Sequence, residues 1–139
     1  MGSRKKISAD ARKEEKKKMV MARLNNYPNS PKKIMHFADV IRGVDLKHAL
    51  DILKYTEKAQ AKTLEKLLLS AIANWQVKNE GVRIEDANLY VKEIFVDSAT
   101  MLKRLRPAPQ GRGYRIRKRS NHVTLILGSN NSQTQNQEA

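Results

Sequence analysis

The stretch from Thr100 to His122 constrains this chain more than any other. It carries eight Lys or Arg and neither Asp nor Glu. It runs Thr100-Met101-Leu102-Lys103-Arg104-Leu105-Arg106, then Pro107-Ala108-Pro109-Gln110-Gly111-Arg112-Gly113, then Tyr114-Arg115-Ile116-Arg117-Lys118-Arg119-Ser120-Asn121-His122. Strand-like sequence flanks it, Tyr90 to Asp97 before and Val123 to Leu127 after. Two strands joined through a Pro/Gly-rich centre predict a β-hairpin, with Gly111 and Gly113 letting the chain turn. At ~3.3 Å per residue, arms of about ten residues project roughly 30 Å. Arg115, Arg117 and Arg119 alternate with Tyr114, Ile116 and Lys118, so one arm turns three guanidiniums to one face. The stretch has too few apolar side chains for a core. The ribbon must therefore lie on a partner, and its charge makes that partner a polyanion.

Charge elsewhere is segregated. The 139 residues carry a net +14. Residues 1–23 hold nine cations against three acids, and residues 24–97 hold eleven against ten. The middle thus reads as a nearly neutral globule, and the positive charge sits on two appendages. The balance suits nucleic acid or an anionic membrane surface. There is no cysteine, so disulfides and thiolate metal sites are excluded. No apolar run approaches the ~20 residues that span a bilayer, and the basic N-terminus lacks the apolar segment of a secretory signal. The expectation is an intracellular protein that does not enter membranes.

The chain divides into a basic extension over 1–18, a domain over 19–128 that includes the extended hairpin 98–122, and a polar tail over 129–139. Ala9 to Met19 could be helical on a surface, and the extension fits either a solvated tail or a basic arm ordered by nucleic acid. Met19 to Leu24 reads as an edge strand. Ser30 and Pro31 start a helix carrying Ile34, Phe37, Ala38 and Ile41, and Gly43 stops it. Asp45 caps a second helix with Leu46, Ala49, Leu50 and Leu53 inward. Thr56 is expected to cap a third, running to about Asn79. The third helix's stripe of Leu64, Leu67, Leu68, Ala71, Ile72 and Trp75 is the strongest periodic signal in the chain. Gly81 follows it. Leu89 to Val96, rich in β-branched and aromatic residues, reads as a central strand. From Gly128 onward the sequence is Asn/Gln/Ser-rich and is expected to be disordered. The fold class is α+β: three helices on one face of a small three-stranded antiparallel sheet, with a long protruding hairpin.

Nothing points to catalysis. His36, His48 and His122 are scattered without partners at ligand spacing, and the carboxylates of the middle are diluted by cations, as on a solvated face. Gly111-Arg112-Gly113 lacks the spacing and the Lys-Ser/Thr of a phosphate-binding loop. No cofactor and no metal are expected. The ribbon arginines suit phosphate, because a planar fork can hold two oxygens at once. Tyr114 could stack on a base. Zinc-finger spacing, a leucine zipper and paired aromatics of the RNA-recognition type are all missing. Shape and phosphate recognition of folded RNA fits best. A free regulator that lays the ribbon on duplex DNA is the rival; such proteins generally dimerise, and no spare apolar stripe offers a dimer surface. A small nuclease would need an acidic or histidine cluster, and the sequence offers none.

From about Met19 to Gly128 the chain resembles the bacterial large-subunit ribosomal protein L twenty-two family. The resemblance rests on Ser30-Pro31-Lys32-Lys33, Ala38-Asp39-Val40-Ile41-Arg42-Gly43 and Ser70-Ala71-Ile72-Ala73-Asn74. It rests further on Val91-Lys92-Glu93-Ile94-Phe95-Val96-Asp97 and on Gln110-Gly111-Arg112 followed by Arg115-Ile116-Arg117-Lys118-Arg119. It implies a globule on the outer surface of the large subunit and a hairpin threaded through ribosomal RNA to the peptide exit tunnel. There the tip, Pro107-Ala108-Pro109-Gln110-Gly111-Arg112, would form a constriction with protein L four and meet the nascent polypeptide. It also implies a part in early subunit assembly, an effect of the tip on macrolide sensitivity, a monomer within the ribosome, and a cytoplasmic location. The RNA-binding candidates are Lys32, Lys33, Arg42, Lys103, Arg104, Arg106, Arg112, Arg115, Arg117, Lys118, Arg119 and His122. Two departures stand out. The family tip usually reads Pro-Arg-Ala where this chain has Pro107-Ala108-Pro109, and Trp75 stands where a small residue is usual.

Overall fold

Leu64, Leu67, Leu68, Ala71 and Trp75 recur at helical spacing, and all five are buried along one 20-residue helix. The surface that they cover is a sheet. In the computed structural model, which describes residues 3–129, the elements follow in the order α1 (Ser3–Lys18), β1 (Val20–Tyr27), α2 (Pro31–Ile41), α3 (Leu46–Tyr55), α4 (Ala59–Lys78), β2 (Leu89–Pro107), a single 3-10 turn (Pro109–Gly111) and β3 (Gly113–Ser129). Helices α2, α3 and α4 pack with the sheet as expected. Ile34, Ala38 and Ile41 of α2, Leu46, Ala49 and Leu53 of α3, and the α4 stripe meet Val20, Ala22, Val91, Ile94, Val123, Leu125 and Leu127 in one core. Trp75 belongs to that core, while Phe37, Leu50 and Ile72 are only partly buried against it. Helix α1 is additional and buries no residue. It begins at Ser3, six residues before the expected Ala9.

The strand order is β1-β3-β2, antiparallel throughout. This corrects the expectation that Leu89–Val96 forms the central strand. The returning arm β3 lies in the middle and β2 is an edge. The irregularities of the ladder fall in the edge strands: β2 shifts register at Val91/Glu93 and Ser98/Met101, and β1 at Leu24/Tyr27. A strand paired on both sides has no free side on which to accommodate an extra residue, so bulges collect at edges. β1 is an edge, as expected, but it continues past Leu24 to Tyr27 through a bulge where Asn26 takes φ 53°.

The free edge of β2 is covered at one point. Gly43 N–H donates to Val91 O at 2.8 Å, and Val91 N–H donates to Val44 O at 3.0 Å. Gly43 reaches this position with φ +76°, a conformation in which a Cβ is strained. The loop after α2 thus satisfies β2 groups that would otherwise offer a template to another chain.

Helix starts need two corrections. Ser30 and Asp45 occupy the N-cap positions, and Pro31 is the first helical residue, yet neither cap side chain closes a hydrogen bond. Thr56 does not cap α4. It ends α3, its hydroxyl donating to Ile52 O at 2.6 Å, and α4 begins after Lys58. Gly128 and Ser129, read from sequence as the start of the tail, pair with Tyr90 and Leu89. The rest of the tail lies outside the described residues.

Candidate nucleic-acid interface

Past Ser98 the β2–β3 ladder leaves the helices behind. Seven opposed pairs, Met101↔Arg119, Leu102↔Lys118, Lys103↔Arg117, Arg104↔Ile116, Leu105↔Arg115, Arg106↔Tyr114 and Pro107↔Gly113, carry it to the tip. Directly opposed residues share a face. One face therefore presents Arg115, Arg117, Arg119 and Lys103, with Leu105 and Met101 between them. The other presents Arg104, Arg106 and Lys118, with Leu102, Ile116 and Tyr114. The expected row of three guanidiniums is present, but the opposite face is basic too. Every residue from Met101 to Pro107 and from Gly113 to Arg119 is exposed. None of the eight cations pairs with a carboxylate among the described residues.

The ribbon departs at a bulge. Between Ser98 and Met101, β2 spends one residue more than β3 does between Asn121 and Arg119. A bulge bends and twists the pair, and here it separates the covered sheet from the bare ribbon. Just inside it lies Asn121, fully buried. Its Nδ2 donates to Asn29 O at 2.7 Å, and its Oδ1 has no partner. Asn121 ties the loop before α2 to the root of the ribbon. Sequence reading missed it, although it is in phase with Val123, Leu125 and Leu127, whose alternation marks the inward row.

At the tip, Ala108 N–H donates to Arg112 O at 2.8 Å and closes the turn. The left-handed positions are Gln110 (φ 61°) and Gly111 (φ 68°). Gly113 is not one of them: it pairs with Pro107 in the ladder, and a Cβ there would meet only Leu105 at 3.9 Å. Pro109 and Gln110 are exposed, and Ala108 is half-buried.

The remaining candidates lie apart from the ribbon. Lys32 and Lys33 are exposed on the first turn of α2. Arg42, just past its end, is engaged within the protein: one nitrogen meets Asp39 Oδ1 at 2.8 Å and another donates to Ile94 O at 3.2 Å. That contact fastens α2 to β2 and leaves less of the guanidinium for a ligand. His122 is half-buried, and its Nδ1 accepts the Asn26 N–H at 3.2 Å. The other ring nitrogen is thus the one that carries the proton in the neutral form. Among the described residues no three His, Cys, Asp or Glu gather closely enough to hold a metal ion. No helix among them is long and apolar enough to cross a membrane.

Comparison with known proteins agrees with this geometry. Residues 22–128, the sheet, its three helices and the whole ribbon, match the family described as ribosomal protein L22p/L17e. The chain is 59% identical over 132 residues to the large ribosomal subunit protein uL22 of Christiangramia forsetii, covering 95% of this chain and 98% of that protein. It is 58% identical over 137 residues to the protein of the same name in Bacteroides fragilis, covering 98% and 100%. With the Flavobacterium psychrophilum protein it shares 56% over 137 residues, again 98% and 100%. A match that spans the globule and the ribbon together, at such identities, leaves no other assignment: the chain belongs to the ribosomal protein L22p/L17e family.

Proposed function

We propose that this chain binds large-subunit ribosomal RNA through its ribbon and supports assembly of the large subunit. As a member of its family it is a structural protein of the ribosome and not an enzyme, working in the bacterial cytoplasm. The observation that carries the reading is the ribbon itself. It has cations on both faces, no partner among the described carboxylates, and no apolar core to hold it. Lys103, Arg104, Arg106, Arg112, Arg115, Arg117, Lys118 and Arg119 neutralise phosphates, and released counterions supply much of the affinity. Lys32 and Lys33 add contacts beside the globule. Arg42 and His122, bonded within the protein, position the ribbon root and the adjacent strands as well as offering their remaining donors to RNA. The tip from Pro107 to Arg112 forms part of the exit-tunnel wall, near protein L four and the passing nascent chain. It is a passive surface, and no cation stands at Ala108 or Pro109.

Two measurements test this. The native protein should co-sediment with large ribosomal subunits in a sucrose gradient. Its affinity for a large-subunit ribosomal RNA fragment should fall with salt at a log–log slope of about −5 to −7, as six to eight neutralised phosphates require. Sedimentation free of ribosomes, or a slope shallower than about −2, would refute the reading.

A further inference from the structure

Helix α1 lies outside the stretch 22–128 that matches the family, and the ribbon does not explain it. Relatives nevertheless match 98% of the chain, which takes in α1. The helix has 16 residues and none of them is buried. It is nonetheless fixed at one end. Lys78 Nζ, from the last turn of α4, donates to Lys17 O at 2.9 Å and Met19 O at 2.6 Å. Those carbonyls lie at the C-terminal end of α1, where a cation also meets the negative end of the helix dipole. The rod therefore has a defined attachment to the globule.

Its charges are sorted by face. At about 100° per residue, Lys5, Lys6, Arg12, Lys13, Lys16 and Lys17 fall within an arc of about 140°. All three acids, Asp10, Glu14 and Glu15, lie outside that arc, with Ile7, Arg4 and Lys18. Asp10 borders it and meets Lys13 at 3.6 Å, which leaves Lys5, Lys6, Arg12, Lys16 and Lys17 without a carboxylate among the described residues. Within the arc the only apolar residue is Ala9. A protein partner needs an apolar centre to its interface, and a membrane surface needs an apolar helix face; α1 offers neither. A polyanion needs only the cations. The 16 residues extend about 24 Å at 1.5 Å per residue, long enough to follow several phosphates of a duplex.

We propose that α1 is a second RNA-binding element, which lays its Lys5-Lys16 face along the phosphate backbone of an RNA duplex, independently of the ribbon. This rests on the RNA-binding reading of the chain, and the test separates the two. Three variants of the full chain are titrated with large-subunit ribosomal RNA across a range of salt. The first is Lys5→Gln with Lys16→Gln, on the basic face. The second is Arg4→Gln with Lys18→Gln, which removes the same charge from the same two ends on the other face. The third is Arg115→Gln with Arg117→Gln and Arg119→Gln, on the ribbon. Gln is nearly as good a helix former as Lys, and circular dichroism checks that helicity is kept.

The basic-face pair should flatten the salt slope by about 2 and weaken binding at ~0.1 M salt roughly 10- to 100-fold. The opposite-face pair should change the slope by less than about 0.5. A plain RNA duplex should show the same ranking, because phosphates are read and not bases. Equal losses from the two pairs would overturn the facial assignment. No loss from the basic-face pair, with a loss from the ribbon variant, would overturn this inference alone. No loss from either would overturn RNA binding itself.

Discussion

Replacing Arg115, Arg117 and Arg119 by Gln separates what holds the fold from what binds. All three side chains are exposed and none meets a described carboxylate. Arg117 stands directly opposite Lys103, a like-charge pair that costs stability. Neutralising the row therefore removes repulsion and no attraction within the protein. Exposed substitutions of this kind stay within about ±0.5 kcal/mol, a shift of roughly 1–3 °C in Tm for a chain of this size, and here the sign is neutral to slightly upward. Binding responds differently. Three lost phosphate contacts at about 0.9 each flatten the log–log salt slope by roughly 2.7, and affinity at ~0.1 M salt falls by two orders of magnitude or more. Thermal melts followed by circular dichroism give the first number, and RNA titrations over a salt series give the second. A Tm lowered by more than about 5 °C would mean that the ribbon belongs to the core. An unchanged slope would mean that these guanidiniums do not meet phosphate.

Two further outcomes bear on the same division. Leu68 is fully buried in α4, so Leu68→Ala should cost roughly 2–5 kcal/mol in chemical denaturation while native protein keeps its salt slope; a loss under about 1 kcal/mol would show that the site can collapse around the gap. Amide exchange on the protein free of RNA should be slow at Ile94, Val123 and Leu125 and fast from Arg106 to Arg117, where no side chain is buried to oppose local opening, and RNA should slow the second set; strong protection of 106–117 in the free protein would refute this.

Much of this was legible locally. The α4 stripe, the helix carrying Ile34, Ala38 and Ile41, and the uncompensated charge of the ribbon each belong to one stretch of chain, where periodicity or composition reports directly. Strand order does not belong to one stretch. Leu89–Val96 has the composition of a central strand, but which strand ends in the middle depends on where β1 docks, and nothing in β2 itself records that. Thr56 sits between two closely spaced helices and suits the end of one as well as the start of the next; its bond to Ile52 O decided the matter. The Arg42 bond to Ile94 O lay beyond local reading, because Ile94 is far along the chain. Gln110 was overlooked as a left-handed residue because two nearby glycines drew the assignment.

The register of the ribbon carries the argument one step beyond composition. Composition alone allows a ribbon that is basic on one face and rests the other in solvent, as a strand pair lying in the groove of duplex DNA would. Observed pairing puts Arg115, Arg117, Arg119 and Lys103 on one face and Arg104, Arg106 and Lys118 on the other. Leu105 and Tyr114, both well exposed, likewise point to opposite sides. A single groove would neutralise one set and leave the other repelling itself, with an apolar residue in water. The RNA binding proposed above satisfies the two faces together, because it places phosphate and base surface on both sides. Folded RNA closing around a strand pair provides that, and it does so without reading sequence, since shape and phosphate positions suffice. On that reading the bulge at Ser98–Met101 is where the chain passes from its own helices to RNA.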